Sequence, residues 1–392
     1  MSLATSTTPF RIAVPDADLA AIRERVRAYD WSALPDAGGW SAGTDLAFMR
    51  DIAAYWLDGY DWRAEETKLN RFAQFKAKAD GLDVHFIHVR GSAGPDGRKP
   101  LPLLLSHGWP GSFFEFLHII EPLAHPERFG GDVADAFDVI VPSLPGYGFS
   151  GRPERPIGPR RIAVCFNALM TDVLGYDRYI AQGGDWGSSI SGWLGYDHEA
   201  CIGVHLNMVP ALSPLMKPDS EEEKAYAQRM RTSMDAEAAY LRLQGTKPQT
   251  LAFGLMDSPV GVAAWIIEKF AAWSDLPRAA DGSPDLLACY SRDQLLTNVM
   301  IYLVTKSFAT AAWLYRGRLL ESPNRLPAGR VETPTGVAAF PEPVYPPPPR
   351  SLAAKGYNLV RWTDMPRGGH FAALEEPDLL MGEIRAFART LR

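Results

Sequence analysis

The segment Gly183-Gly184-Asp185-Trp186-Gly187 has the Gly-x-Ser-x-Gly form of a nucleophile elbow, with aspartate where that motif carries serine. It follows the apolar run "RYIAQ" and precedes "SSISGWLGY", the strand–turn–helix setting that the motif requires. A plainer reading keeps the turn and makes Asp185 only the cap of the following helix. The chemistry favours the first reading. A serine needs a base to become nucleophilic, whereas a carboxylate with an ordinary pKa of ~3.9 is already an anion at neutral pH. Attack on a carbonyl would leave it as a high-energy anhydride. Attack on saturated carbon bearing a strained ring or a leaving group gives an ordinary ester, so an aspartate here suits epoxides and alkyl halides.

Hydrolysis of that ester needs two further parts. Donors must stabilise its oxyanion, each worth roughly 3 kcal/mol. The candidates are the backbone N–H groups of Trp109, in "SHGWPGSFFEF" after the strand "LPLLL", and of Trp186. His107 in the same loop reads as a buried structural histidine. A general base titrating near neutral pH must also activate water. His370 follows Gly368 and Gly369 directly after a late strand, where the last member of a nucleophile–acid–histidine order sits. Among the eight histidines, it alone combines that position with that setting.

Groups this far apart need a sheet to gather them. "VPDADLAAIRERV" reads as a helix that Asp16 or Asp18 is placed to cap, and "DLAFMRDIAAYWLDGYDW" as a second helix. Strands begin at Val84 with "DVHFIHV", and a Gly/Pro/Asp turn spans 91–99. The runs "PLPLLLSHG", "AFDVIVPSLPGYG", "RYIAQGGD" and "CIGVHLNMVP" follow, with helices such as "RIAVCFNALMTDVLG" between them. That alternation implies an α/β fold around a mostly parallel, doubly wound sheet, whose chemistry collects at the carboxyl ends of the strands. From Ser213 to Arg318 the pattern is almost wholly helical and reads as an inserted lid. The α/β pattern resumes with "PTGVAAF", a proline-rich spacer at Pro346–Pro349, "NLVRWTDM" and a last helix. The division is therefore an N-terminal extension over 1–98, a core over 99–212 and 319–392, and a helical lid over 213–318.

The composition fits a soluble globular chain: 392 residues, 46% hydrophobic and 22% charged. A net charge of −6 without any Lys/Arg run excludes a nucleic-acid surface. No stretch approaches the roughly 20 apolar residues of a membrane helix, and the start "MSLATSTTPF" lacks the regions of a signal peptide. Cys165, Cys201 and Cys289 are far apart and without metal-ligand spacing. They read as reduced thiols of a cytoplasmic protein that carries neither metal nor cofactor.

Taken in order, "HGWPGS", "PGYGFS", "GGDWGS" and "RGGHFAA" resemble the epoxide hydrolases of the α/β-hydrolase fold, in their microsomal-type branch. The resemblance covers nearly the whole chain, including an N-terminal meander that wraps core and lid, and the lid segments "KPQTLAFGLMDSPVGVAAWIIEKF" and "LLTNVMIYLVTKSFATAAWLYR". Vertebrate members start with a membrane anchor, so this sequence is similar to soluble, bacterial relatives. The resemblance implies hydrolysis through an alkyl-enzyme ester, with Asp185 as nucleophile and His370 as base. It also implies two lid tyrosines, Tyr240 and Tyr315, donating to the epoxide oxygen. A phenol suits that task because, with a pKa of ~10, it donates while neutral. Tyr302 is a lesser candidate.

One position departs from the family pattern. The acid that orients the histidine falls fourth in a stretch beginning Phe-Pro, but here the text is Phe340-Pro341-Glu342-Pro343. Glu342 is our assignment, one residue early; Asp364 and the region of Asn207 are the other places an acid or its substitute is expected. The implied partners are a small hydrophobic epoxide and water, and a homodimer stays open. Phe113, Phe114, Trp265 and Trp313 lean toward a bulky, aryl-type epoxide. The alternatives are a haloalkane dehalogenase, with Trp109 and Trp186 holding halide; a carboxylesterase using Ser188 or Ser189; and a catalytically silent receptor or scaffold.

Overall fold

The computed structural model describes residues 7–94, 97–327 and 329–392. Within the turn expected over 91–99, Pro95 and Asp96 lie outside the described residues, as do the first six residues. Nine strands form one mixed sheet among the described residues: β1 (Thr8–Phe10), β2 (Gln74–Ala79), β3 (Leu82–Val89), β4 (Leu101–Ser106), β5 (Phe137–Pro142), β6 (Tyr179–Gly183), β7 (Cys201–Leu206), β8 (Val331–Ala339) and β9 (Tyr357–Asp364). Their order is β1-β2-β3-β5-β4-β6-β7-β8-β9. The pairs from β1 to β5 are antiparallel, and those from β5 through β4 to β9 are parallel. β4, β5 and β6 are buried along their whole length. Near-continuous apolar runs are what strands covered on both faces require.

Two sequence expectations need correction. Strands begin well before Val84, because β1 and β2 precede it and join the same sheet. "QFKAKA" alternates only weakly and carries two lysines, so its strand character comes from pairing with Leu82–Ile87 of β3 rather than from its own pattern. Neither Asp16 nor Asp18 caps the first helix. That helix runs Asp16–Arg27 with Pro15 at its cap position and no side-chain cap, and Asp16 pairs instead with Arg63.

The order around β4 positions the site. β4 pairs with β5 on one side and β6 on the other, so the chain leaving β4 and the chain leaving β6 diverge at adjacent carboxyl ends. Such a switch point opens a crevice in doubly wound sheets. Helices from Glu221 to Leu320 lie in sequence between β7 and β8. The N-terminal helices hold this block: Tyr55 donates to Asp293 at 2.7 Å, the Tyr60 and Thr297 hydroxyls share a hydrogen bond of 3.1 Å, and Arg292 pairs with Asp51. No single helix among the described residues is long and apolar enough to cross a membrane.

Candidate active site

Asp185 opens the helix Asp185–Asp197 where β6 ends, with Gly184 at the cap position and φ of +46° at Asp185 itself. A non-glycine residue in the left-handed region costs on the order of 1–3 kcal/mol and persists only where its surroundings enforce it. Here the elbow is pressed against the end of β4. A Cβ on Gly187 would lie 1.9 Å from the Ser106 carbonyl oxygen, and one on Gly108 would lie 2.1 Å from Oδ1 of Asp185. The glycines let the two strand ends close until the Trp109 N–H donates to Asp185 Oδ1 at 2.8 Å. Burial raises the Asp185 pKa; the charge of His370 and the backbone N–H groups of Trp109 and Trp186 pull it back.

His370 sits beyond β9, its backbone N–H donating to the Trp273 carbonyl at 3.1 Å. Its Nδ1 is 2.7 Å from Glu342 Oε1, and its Nε2 is 3.6 Å from Asp185 Oδ2. Burial lowers the imidazole pKa, but Glu342, Asp185 and Glu115 more than offset it and bring it to about 9. Glu342 is buried, and its own pKa is raised by burial and moderated by His370. Its early register has a local cause. Phe340 donates to Ala338 at 3.1 Å and Glu342 to Phe340 at 2.8 Å, two successive tight turns that bring residue 342 round to the imidazole.

The tyrosines come from separate helices, Tyr240 from Ala239–Thr246 and Tyr315 from Phe308–Leu320, and both are buried. Their rings lie 5.8 Å apart at 82°. Tyr240 stacks on the Trp109 ring at 5.2 Å, while Tyr315 meets Trp109 and Trp186 edge-on at 5.7 and 4.8 Å. Both rings therefore rest on Trp109, and Tyr315 on Trp186 as well, the two residues whose backbone N–H groups act on the Asp185 carboxylate. The Tyr240 hydroxyl shares a 3.0 Å hydrogen bond with Tyr345. The Tyr315 hydroxyl makes no hydrogen bond of ordinary geometry, although Tyr240 and the Trp186 indole lie close enough to act on its titration, and it on that of Tyr240. Burial drives both pKa values well above that of free tyrosine, so both phenols are neutral donors.

Other candidates are occupied elsewhere. Tyr302 donates to the Gly111 carbonyl at 2.7 Å. Asp364 accepts from the Trp362 indole at 2.9 Å, away from His370, and Asn207 accepts from Gln182 at 2.8 Å. His107 is held by Gly108 and Leu144, with burial lowering its pKa to about 4. The Ser188 hydroxyl donates back to the Asp185 carbonyl at 2.5 Å. Of the expected pocket aromatics, Phe113 packs on His85 and Phe149, and Trp265 donates to Gln244. Three neighbours went unread in the sequence. Trp273 lies over the His370 ring at 4.7 Å, Tyr345 reaches Tyr240, and Glu115 acts on both His370 and Asp185. Trp273 and Tyr345 have no sequence signal. Glu115 lies within "SHGWPGSFFEF", where the Trp109 N–H, His107 and the phenylalanines carry the sequence signal and the glutamate has none of its own.

No group of three or more His, Cys, Asp or Glu side chains among the described residues forms a metal site. Residues 7–116 match the family described as epoxide hydrolase N terminus, and residues 102–310 match the α/β-hydrolase fold. A putative epoxide hydrolase of Stigmatella aurantiaca is 39% identical over 390 residues, which cover 98% of this chain and 85% of that protein. Epoxide hydrolase 1 of Oryctolagus cuniculus is 35% identical, with 97% and 88% covered. The solved Aspergillus niger epoxide hydrolase superposes with a TM-score of 0.84 at 32% identity, covering 99% of this chain and 97% of that one. The juvenile hormone epoxide hydrolase of Bombyx mori gives 0.83 at 32%, with 99% and 94% covered. With an aspartate elbow at the sheet's switch point, a histidine–glutamate pair facing it and both family models matched in order, the chain belongs to the epoxide hydrolases of the α/β-hydrolase fold.

Proposed function

We propose that the chain converts an epoxide to a vicinal diol in two steps that share the Asp185 carboxylate. Oδ2 attacks a ring carbon and the ring C–O bond breaks. Its electron pair passes to the epoxide oxygen, which takes a hydrogen bond and then a proton from Tyr240 and Tyr315. Oδ1 stays on the backbone donors of Trp109 and Trp186 and becomes the ester carbonyl. Water then gives a proton to Nε2 of His370 and bonds to the Asp185 carboxyl carbon. The oxyanion forms on Oδ1, where the same two N–H groups stabilise it. Collapse breaks the ester bond, and the diol oxygen leaves with the proton held by His370. The regenerated Asp185 carboxylic acid gives its proton to the tyrosinate left by the first step, which restores both groups. Glu342 holds the imidazole in the tautomer and orientation this needs.

One observation carries the reading: one oxygen of the carboxylate is tied to a backbone donor while the other faces the imidazole. The test is intact-mass measurement of His370→Gln after incubation with styrene oxide. An adduct of one epoxide mass, mapped to Asp185, is expected to accumulate, and none is expected in Asp185→Ala. An adduct on another residue, or diol formation by Asp185→Ala, would remove Asp185 from the mechanism. A protein serving only as receptor or scaffold gains no adduct at all.

The reading extends to the setting. The aromatic walls favour a hydrophobic substrate, consumed either in clearing reactive epoxides or in a natural-product pathway. Three unpaired cysteines suit the cytoplasm, and residues 1–98, 99–212 with 319–392, and 213–318 act as extension, core and lid. Dehalogenation has one observation in its favour, since the indole N–H groups of Trp109 and Trp186 are buried without acceptors. Bromide release from 1-bromobutane, measured beside diol formation from styrene oxide, separates the two activities.

A further inference from the structure

Beside the Asp185 carboxylate lies a small space lined by neither tyrosine. It measures about 10 Å³, and its polar lining includes Asp185, His370, Glu115 and Asn207, with Phe371 and Leu380 among its apolar walls. That is the room of a single water molecule, which occupies such a site when two to four polar groups face it.

Glu115 is the unexplained member of this lining. It belongs to the short turn Phe113–Phe116 and is half-buried, with the charges of the nucleophile and the base acting on it, yet among the described residues no cation or side-chain donor pairs with its carboxyl. Its place is nonetheless enforced. A Cβ on Gly111 would fall 1.4 Å from Glu115 Oε1, so only glycine lets the side chain fold back here. The loop is pinned from the helix Arg292–Val304: Asn298 accepts from Ser112 at 2.9 Å and donates to the Pro110 carbonyl at 2.8 Å, and Tyr302 donates to the Gly111 carbonyl at 2.7 Å. Burial raises the Glu115 pKa to about 8, as the Asp185 charge also does, against His370 and the Ser112 backbone. A carboxyl held neutral both donates and accepts one hydrogen bond, which is what a water needs if its remaining lone pair is to face a carbon atom.

We propose that this cavity holds the water that hydrolyses the ester, and that Glu115 is the positioning residue that aims it, with Asn207 as second holder. The proposal rests on the Asp185–His370 reading above. In the step itself, the water proton goes to His370 Nε2 and the water oxygen bonds to the Asp185 carboxyl carbon, with Glu115 exchanging no net proton.

The test is single-turnover kinetics of Glu115→Met and Glu115→Gln with styrene oxide, following formation and decay of the enzyme ester by rapid-quench mass spectrometry. Glu115→Met keeps the volume but loses the hydrogen bonds, and its ester decay is expected to slow about tenfold or more, the loss falling on decay rather than formation. Glu115→Gln, a neutral isostere, is expected to recover most of the lost decay rate. Decay in Glu115→Met at the wild-type rate would overturn the proposal. So would equal slowing of formation and decay, which marks general structural damage, or equal loss in the Met and Gln variants, which marks an anionic role. If Glu115→Met does not fold, Asn207→Leu carries the same expectation of selectively slowed decay. An ester that never forms, even in wild type, would instead refute the parent reading.

Discussion

His370 Nε2 faces Oδ2 of Asp185 at 3.6 Å, while Oδ1 of the same carboxylate is bound to the Trp109 N–H at 2.8 Å. In the free enzyme the imidazole thus has the nucleophile's negative charge among its neighbours, and its pKa stands at about 9 although burial opposes it. A protonated imidazole cannot accept a proton from water. In the mechanism proposed above, alkylation of Asp185 would remove this obstacle, since an ester carries no charge and burial then weighs more heavily. The first step would create the base for the second.

The pH dependence follows with a definite sign. Free His370 is expected to lose its proton as pH rises through about 9. Decay of the enzyme ester is expected to rise with pH through a value lower by roughly one unit or more, the usual effect of deleting an adjacent opposite charge. Histidine NMR titration of the free enzyme, set against the pH profile of single-turnover ester decay, measures both. Coincident values would show that the Asp185 charge does not control the base.

Glu342 is expected to matter for the second step far more than for the first. Replacing it with Gln keeps the volume but removes the charge that fixes the imidazole tautomer, and ester decay is expected to fall by on the order of 10²–10⁴. Ester should therefore accumulate in Glu342→Gln. Steady-state turnover without accumulation would mean that another acid serves His370.

The two tyrosines should differ in stability while agreeing in kinetics. The Tyr315 hydroxyl is buried without a hydrogen bond, so Tyr315→Phe is expected to leave stability unchanged or raise it by about 1 kcal/mol. Tyr240→Phe breaks the bond to Tyr345 and is expected to cost about 1 kcal/mol. Both should slow ester formation about tenfold or more and leave its decay unaffected. Calorimetry and stopped-flow tryptophan fluorescence test the two halves; a destabilised Tyr315→Phe would mean that its hydroxyl has a partner.

Gly108→Ala tests how closely the elbow must approach the loop after β4. The added Cβ would fall 2.1 Å from Asp185 Oδ1, so the carboxylate or the loop must move. Ester formation is expected to drop about 100-fold, as ~1 Å misplacements do, with circular dichroism unchanged. Activity near wild type would show that the contact with the Trp109 N–H is dispensable.

The groups that meet at the candidate site were legible because each is set locally. A carboxylate inside a glycine-bounded turn, a histidine after a late strand and a tryptophan N–H after an apolar run are each set by a few neighbouring residues. The parallel core was legible for the same reason, since β4, β5 and β6 announce burial in their own composition. Pairing between distant segments was not. β1 and β2 become strands by joining β3, and nothing in "TPF" or "QFKAKA" specifies that partner. The family pattern pointed to Glu342 one residue early, but two turns between β8 and the proline run are what carry it to His370. Only the tertiary structure placed Tyr345 on Tyr240 and folded Glu115 back over Gly111. Periodicity reports which face of an element is buried; which buried groups meet depends on turns and packing among residues far apart in the chain.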